Sequence, residues 1–218
     1  MQTGSVDPLL ETWTAALGAS PAVVAAGHDL LDRYDEPHRH YHDRRHLAEV
    51  LAALRDLAPG REPPEAVVVA AWFHDAVHDG RDDDEQRSAE LAAHVLASLS
   101  VLPDVVDEVV RLVRMTLTHD PAPDDAPGVL LSDADLAVLG AGADRYAEYA
   151  EDVRREYGHL GDDAFRAGRA AVLRGLLDRP RIYAGDLAHR RWDAPARRNL
   201  RLEISALGGA SDGAALRP

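Results

Sequence analysis

Apolar residues recur three and four positions apart along almost the whole chain, and no stretch alternates in the manner of a half-buried strand. The pattern predicts helices over Pro8–Leu17 and Pro21–Tyr34, then a loop over 35–40 that contains Pro37. A helix over 43–57 follows, with Leu47, Val50, Leu51 and Leu54 as its inner stripe, and Pro59, Gly60, Pro63 and Pro64 end it. The next run, 65–78, is apolar nearly all round, the mark of a helix through the middle of a core. A polar loop over 79–84 leads to helices over 85–99 and 103–118. Pro121, Pro123 and Pro127 predict a rigid connection, after which Ser132 or Asp133 caps a short helix through Leu139. Helices over 143–157, Asp162–Asp178 and 195–207 complete the pattern, and 208–218 reads as a frayed tail. The expectation is a single all-α domain over 1–207, without repeats or a domain linker.

Composition narrows the chemistry. The 218 residues include no cysteine, which removes thiolate catalysis, zinc fingers, iron–sulfur clusters and disulfide scaffolds together. All 24 basic residues are arginine, so lysine Schiff bases and the P-loop lysine are excluded as well. Against 38 acidic residues the formal charge is -14, which argues against nucleic acid as a partner. No apolar run approaches the ~20 residues of a membrane span, and the first twenty residues lack the basic start of a secretory signal. The reading is a cytoplasmic protein with no membrane partner. Its eleven histidines are the informative excess.

Metal-competent side chains gather in three places. His42 and His46 lie four apart in Tyr-His-Asp-Arg-Arg-His, so on a helix they share a face. His74-Asp75 sits at the end of the nearly all-apolar run, with His78 and Asp79 four residues beyond. Placing a His-Asp pair there is costly unless a metal or a mutual hydrogen bond offsets its desolvation. Asp133 and Asp135 lie in Ser-Asp-Ala-Asp-Leu. Imidazole and carboxylate without thiolate suit one divalent ion: Mn, Fe, Co, Ni, Zn or Mg. Two His and two Asp around it leave positions open for water and substrate.

These clusters, in this order, resemble the HD superfamily of metal-dependent phosphohydrolases, over residues of about 41–140. The resemblance is closest to a bacterial branch of predicted HD phosphohydrolases. It rests on Tyr-His-x-x-x-His, Trp-Phe-His-Asp-x-Val, Glu-x-x-Ser-Ala at 85–89, Asp-Ala-Asp-Leu-x-x-Leu-Gly and Ala-Arg-x-Asn-Leu at 196–200. Two positions depart from that branch: His78 stands where Tyr is usual, and Asp84 where Asn is usual. The resemblance implies an HD-type helical bundle with additional C-terminal helices. It also implies His46, His74, Asp75 and Asp135 as metal ligands, with Asp133 as the alternative to Asp135. The implied activity is hydrolysis of a phosphoester or phosphoanhydride in a small metabolite, a nucleotide in particular, by metal-activated water.

Other residues carry two readings each. Asp75 both ligates and positions the nucleophile. His42 either meets substrate phosphate or donates a proton, or else caps its helix beside Asp43. Glu85 either handles the proton of the attacking water or favours a helix N-terminus. Arg154, Arg169 and Arg197 either hold phosphate in two-point geometry or pair with the excess of acids. His78, His119 and His94 are candidates for a second metal. Their convergence would favour an HD-type di-iron oxygenase, and a non-catalytic metal-dependent nucleotide sensor is a third possibility. A homodimer is compatible with all of these.

Overall fold

The computed structural model describes residues 7–209, and all regular structure among them is helical, as the periodicity predicts. The chain forms two compact units, one ending at Asp135 and the other beginning at Leu136, whereas the sequence pattern runs to 207 as one domain. The division falls where an α-helix tightens into the 3-10 turn Leu136–Gly140.

The first unit contains α1 (Pro8–Leu17), α2 (Pro21–Tyr34), α3 (Arg44–Leu57), α4 (Glu65–Phe73), α5 (Asp84–Ser98), α6 (Pro103–Met115) and α7 (Ala126–Asp135). Proline in the first turn starts α1, α2 and α6. Side chains of Asp7, Ser20 and Asp43 accept the otherwise unpaired amides that open α1, α2 and α3. Helix α4 is the centre: Val67 and Val69–Phe73 are fully buried, and α1, α3, α5, α6 and α7 pack around it. Trp13 of α1 lies 5.3 Å from Trp72 and 5.8 Å from Phe73, ring centre to ring centre. Both indoles place their N–H, Trp13 on the Val23 carbonyl at 2.7 Å and Trp72 on the Thr12 hydroxyl at 3.0 Å. This apolar clamp fixes the C-terminal end of α4, where His74 and Asp75 follow.

Three boundaries differ from the sequence reading. Helix α4 stops at Phe73 rather than continuing to His78. Backbone groups that would extend it are taken by side chains from elsewhere: Arg39 donates to the Asp75 and Ala76 carbonyls, and Ser88 accepts from the Val77 amide. Helix α6 ends at Met115, because Thr116, Leu117 and Thr118 bond three residues back and His119 turns into the left-handed region at φ 47°. Helix α7 begins at Ala126, not at Ser132 or Asp133. Asp125 accepts from the Gly128 amide at 3.1 Å, Pro127 lies in the first turn, and Arg111 of α6 grips the Asp125 carboxylate at 2.7 and 2.9 Å.

The second unit contains the Leu136–Gly140 turn, α8 (Ala143–Glu156), α9 (Asp162–Asp178), the three-residue α10 (Asp186–Ala188), a π-turn His189–Asp193, and α11 (Ala194–Gly209). Its core holds Tyr146, Tyr149, Val153, Phe165, Leu173, Tyr183 and Leu200. Asn199 donates to the Leu139 and Ala141 carbonyls and Tyr183 to the Leu136 carbonyl, which ties down the 3-10 turn. Gly208 and Gly209 close α11, and the rest of the expected tail lies outside the described residues. No single helix among the described residues is long and apolar enough to cross a membrane.

Candidate metal centre

Three separate segments of the first unit bring His46, His74, Asp75 and Asp135 to one point. His46 sits in the first turn of α3, where the Asp43 carboxylate accepts the His46 amide at 3.2 Å and fixes the start of the helix. His74 and Asp75 follow the clamped end of α4, and Asp135 closes α7. The Nε2 atoms of His46 and His74 are 3.0 Å apart. Asp75 Oδ2 lies 3.2 Å from His46 Nε2 and 3.0 Å from His74 Nε2, while Asp135 Oδ1 lies 3.2 and 3.4 Å from the same two atoms. The imidazoles are all but sealed from solvent, whereas the Asp75 and Asp135 side chains keep 16% and 10% of their surface, so one side of the cluster remains open.

The donor chemistry fits a divalent cation. His74 Nδ1–H donates to the Ala71 carbonyl at 2.8 Å, so in the neutral ring Nε2 carries the lone pair and faces the cluster. The ligand atoms of His46, His74 and Asp75 lie within 4.8 Å of one another. Burial acts strongly against charge on all four groups. Even so, the Asp135 and Asp75 carboxylates lift the His46 imidazole up to about 9 and hold His74 well above its ordinary value. For Asp75 and Asp135 the charge of His74 likewise outweighs burial, and both are held well below the usual carboxylate range. A cation with two deprotonated imidazoles replaces the protons that otherwise stabilise this set.

Around the four lies a supporting ring. His119 meets the outer oxygen of Asp135, Nε2 to Oδ2, at 2.7 Å. This contact places His119, one of the candidates for a second metal, against the carboxylate of Asp135. His42 and His78 stack with ring centres 4.0 Å apart, and His42 lies 5.6 Å from His46. His94 instead lines a groove between α2 and α5 with Ala22, Ala26 and Leu91, and does not join the cluster. Glu85, in the first turn of α5, is half-buried. Burial raises its carboxyl, and the charges of Asp75 and Asp84 raise it further, against the opposing pull of His119. Asp133 is buried within α7, and Asp135 is the acid that faces the imidazoles.

Asp84 accepts from the Asp79 and Arg81 amides at 2.8 and 2.9 Å and shapes the loop after the His-Asp pair. Ser88 grips Val77 through both backbone groups, at 3.0 and 3.3 Å. Arg39, to which the sequence reading assigns no role, has a fully buried side chain behind Asp75. Its surroundings, Glu-Pro-His-Arg-His, read as a polar loop, and only the burial of that loop distinguishes it.

The three late arginines take other partners. Arg169 forms a two-point bridge with Glu203 at 2.8 and 3.2 Å. Arg154 holds the Tyr157 and Leu160 carbonyls and Asp162. Arg197 binds Asp193 and the carbonyls of Leu177, Arg179 and Pro180. The partners of all three lie within the second unit, as the alternative reading of paired arginines has it.

No protein-family model, curated protein or solved structure matches this chain.

Proposed function

We propose that this protein is a metal-dependent phosphohydrolase of the HD type, which hydrolyses a phosphoester or phosphoanhydride in a small metabolite of the nucleotide class. The observation that carries the reading is the convergence of His46, His74, Asp75 and Asp135, from three separate segments, on one buried and partly open point. When bound there, a divalent ion supplies Lewis acidity toward phosphoryl oxygens and acidifies water near neutral pH.

The chain's own residues account for the rest. His46 and His74 present Nε2, with the Ala71 carbonyl fixing the tautomer of His74. Asp75 and Asp135 present one oxygen each, and His119 orients Asp135 from behind. Glu85, with its raised carboxyl, accepts a proton from the attacking water or returns it to the leaving oxygen. His42, stacked on His78, donates a hydrogen bond to the phosphate. A protein of charge -14 repels phosphate, and a cation at this point removes that obstacle locally.

The test is phosphate release from a nucleotide panel by wild type, His74→Ala and Asp135→Asn, each supplied in turn with Mn, Fe, Co, Ni, Zn or Mg. Metal-dependent release by wild type, lost in both variants, is expected. Saturable nucleotide binding without release under any ion would replace the hydrolase with a metal-dependent sensor.

A further inference from the structure

We propose that Arg39 is a positioning residue of the metal centre, whose guanidinium staples the segment leading to His46 onto the turn that carries His74 and Asp75. The inference rests on the metal-centre reading above. The side chain of Arg39 is fully buried. Nη1 donates to the His42 carbonyl at 3.1 Å and to the Asp75 carbonyl at 2.5 Å, and Nη2 donates to the Ala76 carbonyl at 3.3 Å. Nε donates to Glu36 Oε2 at 3.0 Å, and the cation sits 5.4 Å from the centre of the Tyr34 ring.

The placement is specific. His42 is the last residue before Asp43, the cap of α3, and His46 lies one turn further on. Asp75 and Ala76 follow Phe73, the last residue of α4, so their carbonyls lack the helical partners that a continued α4 would supply. One planar fork therefore sets the spacing between two ligand-bearing segments that lie 36 residues apart in the chain (75 minus 39). Tyr34 backs the same turn by donating to the Trp72 carbonyl at 3.3 Å. A burial this complete is expensive for a cation unless each donor has work to do, and four of these contacts fix backbone or a neighbouring acid. Arginine is required over lysine because an ammonium cannot span the three carbonyls from one rigid plane.

The experiment compares cobalt(II) binding by wild type, Arg39→Lys and Glu36→Gln, read by the dissociation constant and by the visible ligand-field spectrum. Circular dichroism and the thermal midpoint report folding in parallel. For folded Arg39→Lys the expected result is cobalt affinity weaker by about 10–100-fold, the range for outer partners of metal ligands, with a changed spectrum. Glu36→Gln loosens only the Nε corner of the fork, and the expected result is a smaller fold-change of about 2–5, below the range for loss of a whole outer partner, at an unchanged midpoint. It decides the matter if Arg39→Lys does not fold. Wild-type affinity and spectrum in the folded variants would overturn the positioning role while leaving the metal centre intact. Failure of wild type itself to bind cobalt would overturn the metal-centre reading and this inference with it.

Discussion

Replacing Arg169 by Met separates a structural arginine from a phosphate-binding one. Its side chain is 9% exposed and that of its partner Glu203 11%, and the two meet at 2.8 and 3.2 Å. The guanidinium also lies 4.9 Å from the centre of the Tyr149 ring, and Tyr146 donates to the second oxygen of Glu203 at 2.5 Å. Arg169→Met leaves a buried carboxylate with only a phenol as partner, and breaking such a pair costs about 3–5 kcal/mol. At about 4–8 °C per kcal/mol for a unit of this size, the unfolding midpoint of the second unit falls by about 12–40 °C. Adding Glu203→Gln removes the stranded charge while keeping an acceptor for Tyr146, so the double variant recovers to within about 1–2 kcal/mol of wild type. Calorimetry on the four members of this cycle gives the numbers, and phosphate release per folded molecule stays unchanged. A loss under about 1 kcal/mol, the level of an exposed pair, together with a tenfold rise in KM, would refute the structural role and restore Arg169 as a substrate contact.

Other consequences are as direct. Glu85→Gln lowers kcat by about 100-fold or more at unchanged metal affinity. Because the carboxyl of Glu85 is raised, wild-type rate falls as pH drops through that raised value, and this acid limb disappears in the variant; a persisting limb would assign it to another group. Gly140→Ala drives a methyl to 2.5 Å from Trp192 Cβ and 2.9 Å from its carbonyl, and a denaturant midpoint lower by about 1–3 kcal/mol equivalent is expected. At Asp193, burial pushes the carboxyl up, but Arg197 and the Ile182 amide together hold it below the usual range. Its contribution is therefore present above the ordinary carboxylate pKa and lost as pH falls through the lowered one. Asp193→Asn is expected to be less stable than wild type at pH 7 by about 1–3 kcal/mol, with the gap closing only as pH falls below the ordinary carboxylate range; a gap independent of pH would contradict this.

Helical periodicity made most of the elements legible because each helix buries a continuous stripe. Proline and capping residues placed the start of α1, α2 and α6 at the observed residue. The end of α4 and the start of α7 are set by distant side chains, namely Arg39, Ser88 and Arg111, that compete for backbone groups or hold the cap. The end of α6 is set locally, by amides of 116–118 that bond three residues back and by the left-handed His119. The short α10 and the π-turn carry too few apolar residues to leave a periodic trace. For the candidate centre, the three clusters stand out by residue type and order, the resemblance implies His46, His74, Asp75 and Asp135 with Asp133 as the alternative, and the structure brings the first four together. The ring around them leaves little trace in the sequence: nothing local pairs His119 with Asp135 sixteen residues on, and Arg39 has the sequence surroundings of loop charge although its side chain is buried.

The most direct test of the account is elemental analysis of protein purified without chelator or nickel resin, beside a His74→Ala partner, followed by titration of each with Mn, Fe, Co, Ni, Zn and Mg. Close to one equivalent of a divalent metal in wild type, carried through purification or taken up on titration and absent from the variant, is the predicted result. Wild type that holds no metal and takes up none of the six ions would contradict the metal centre and every catalytic role assigned around it.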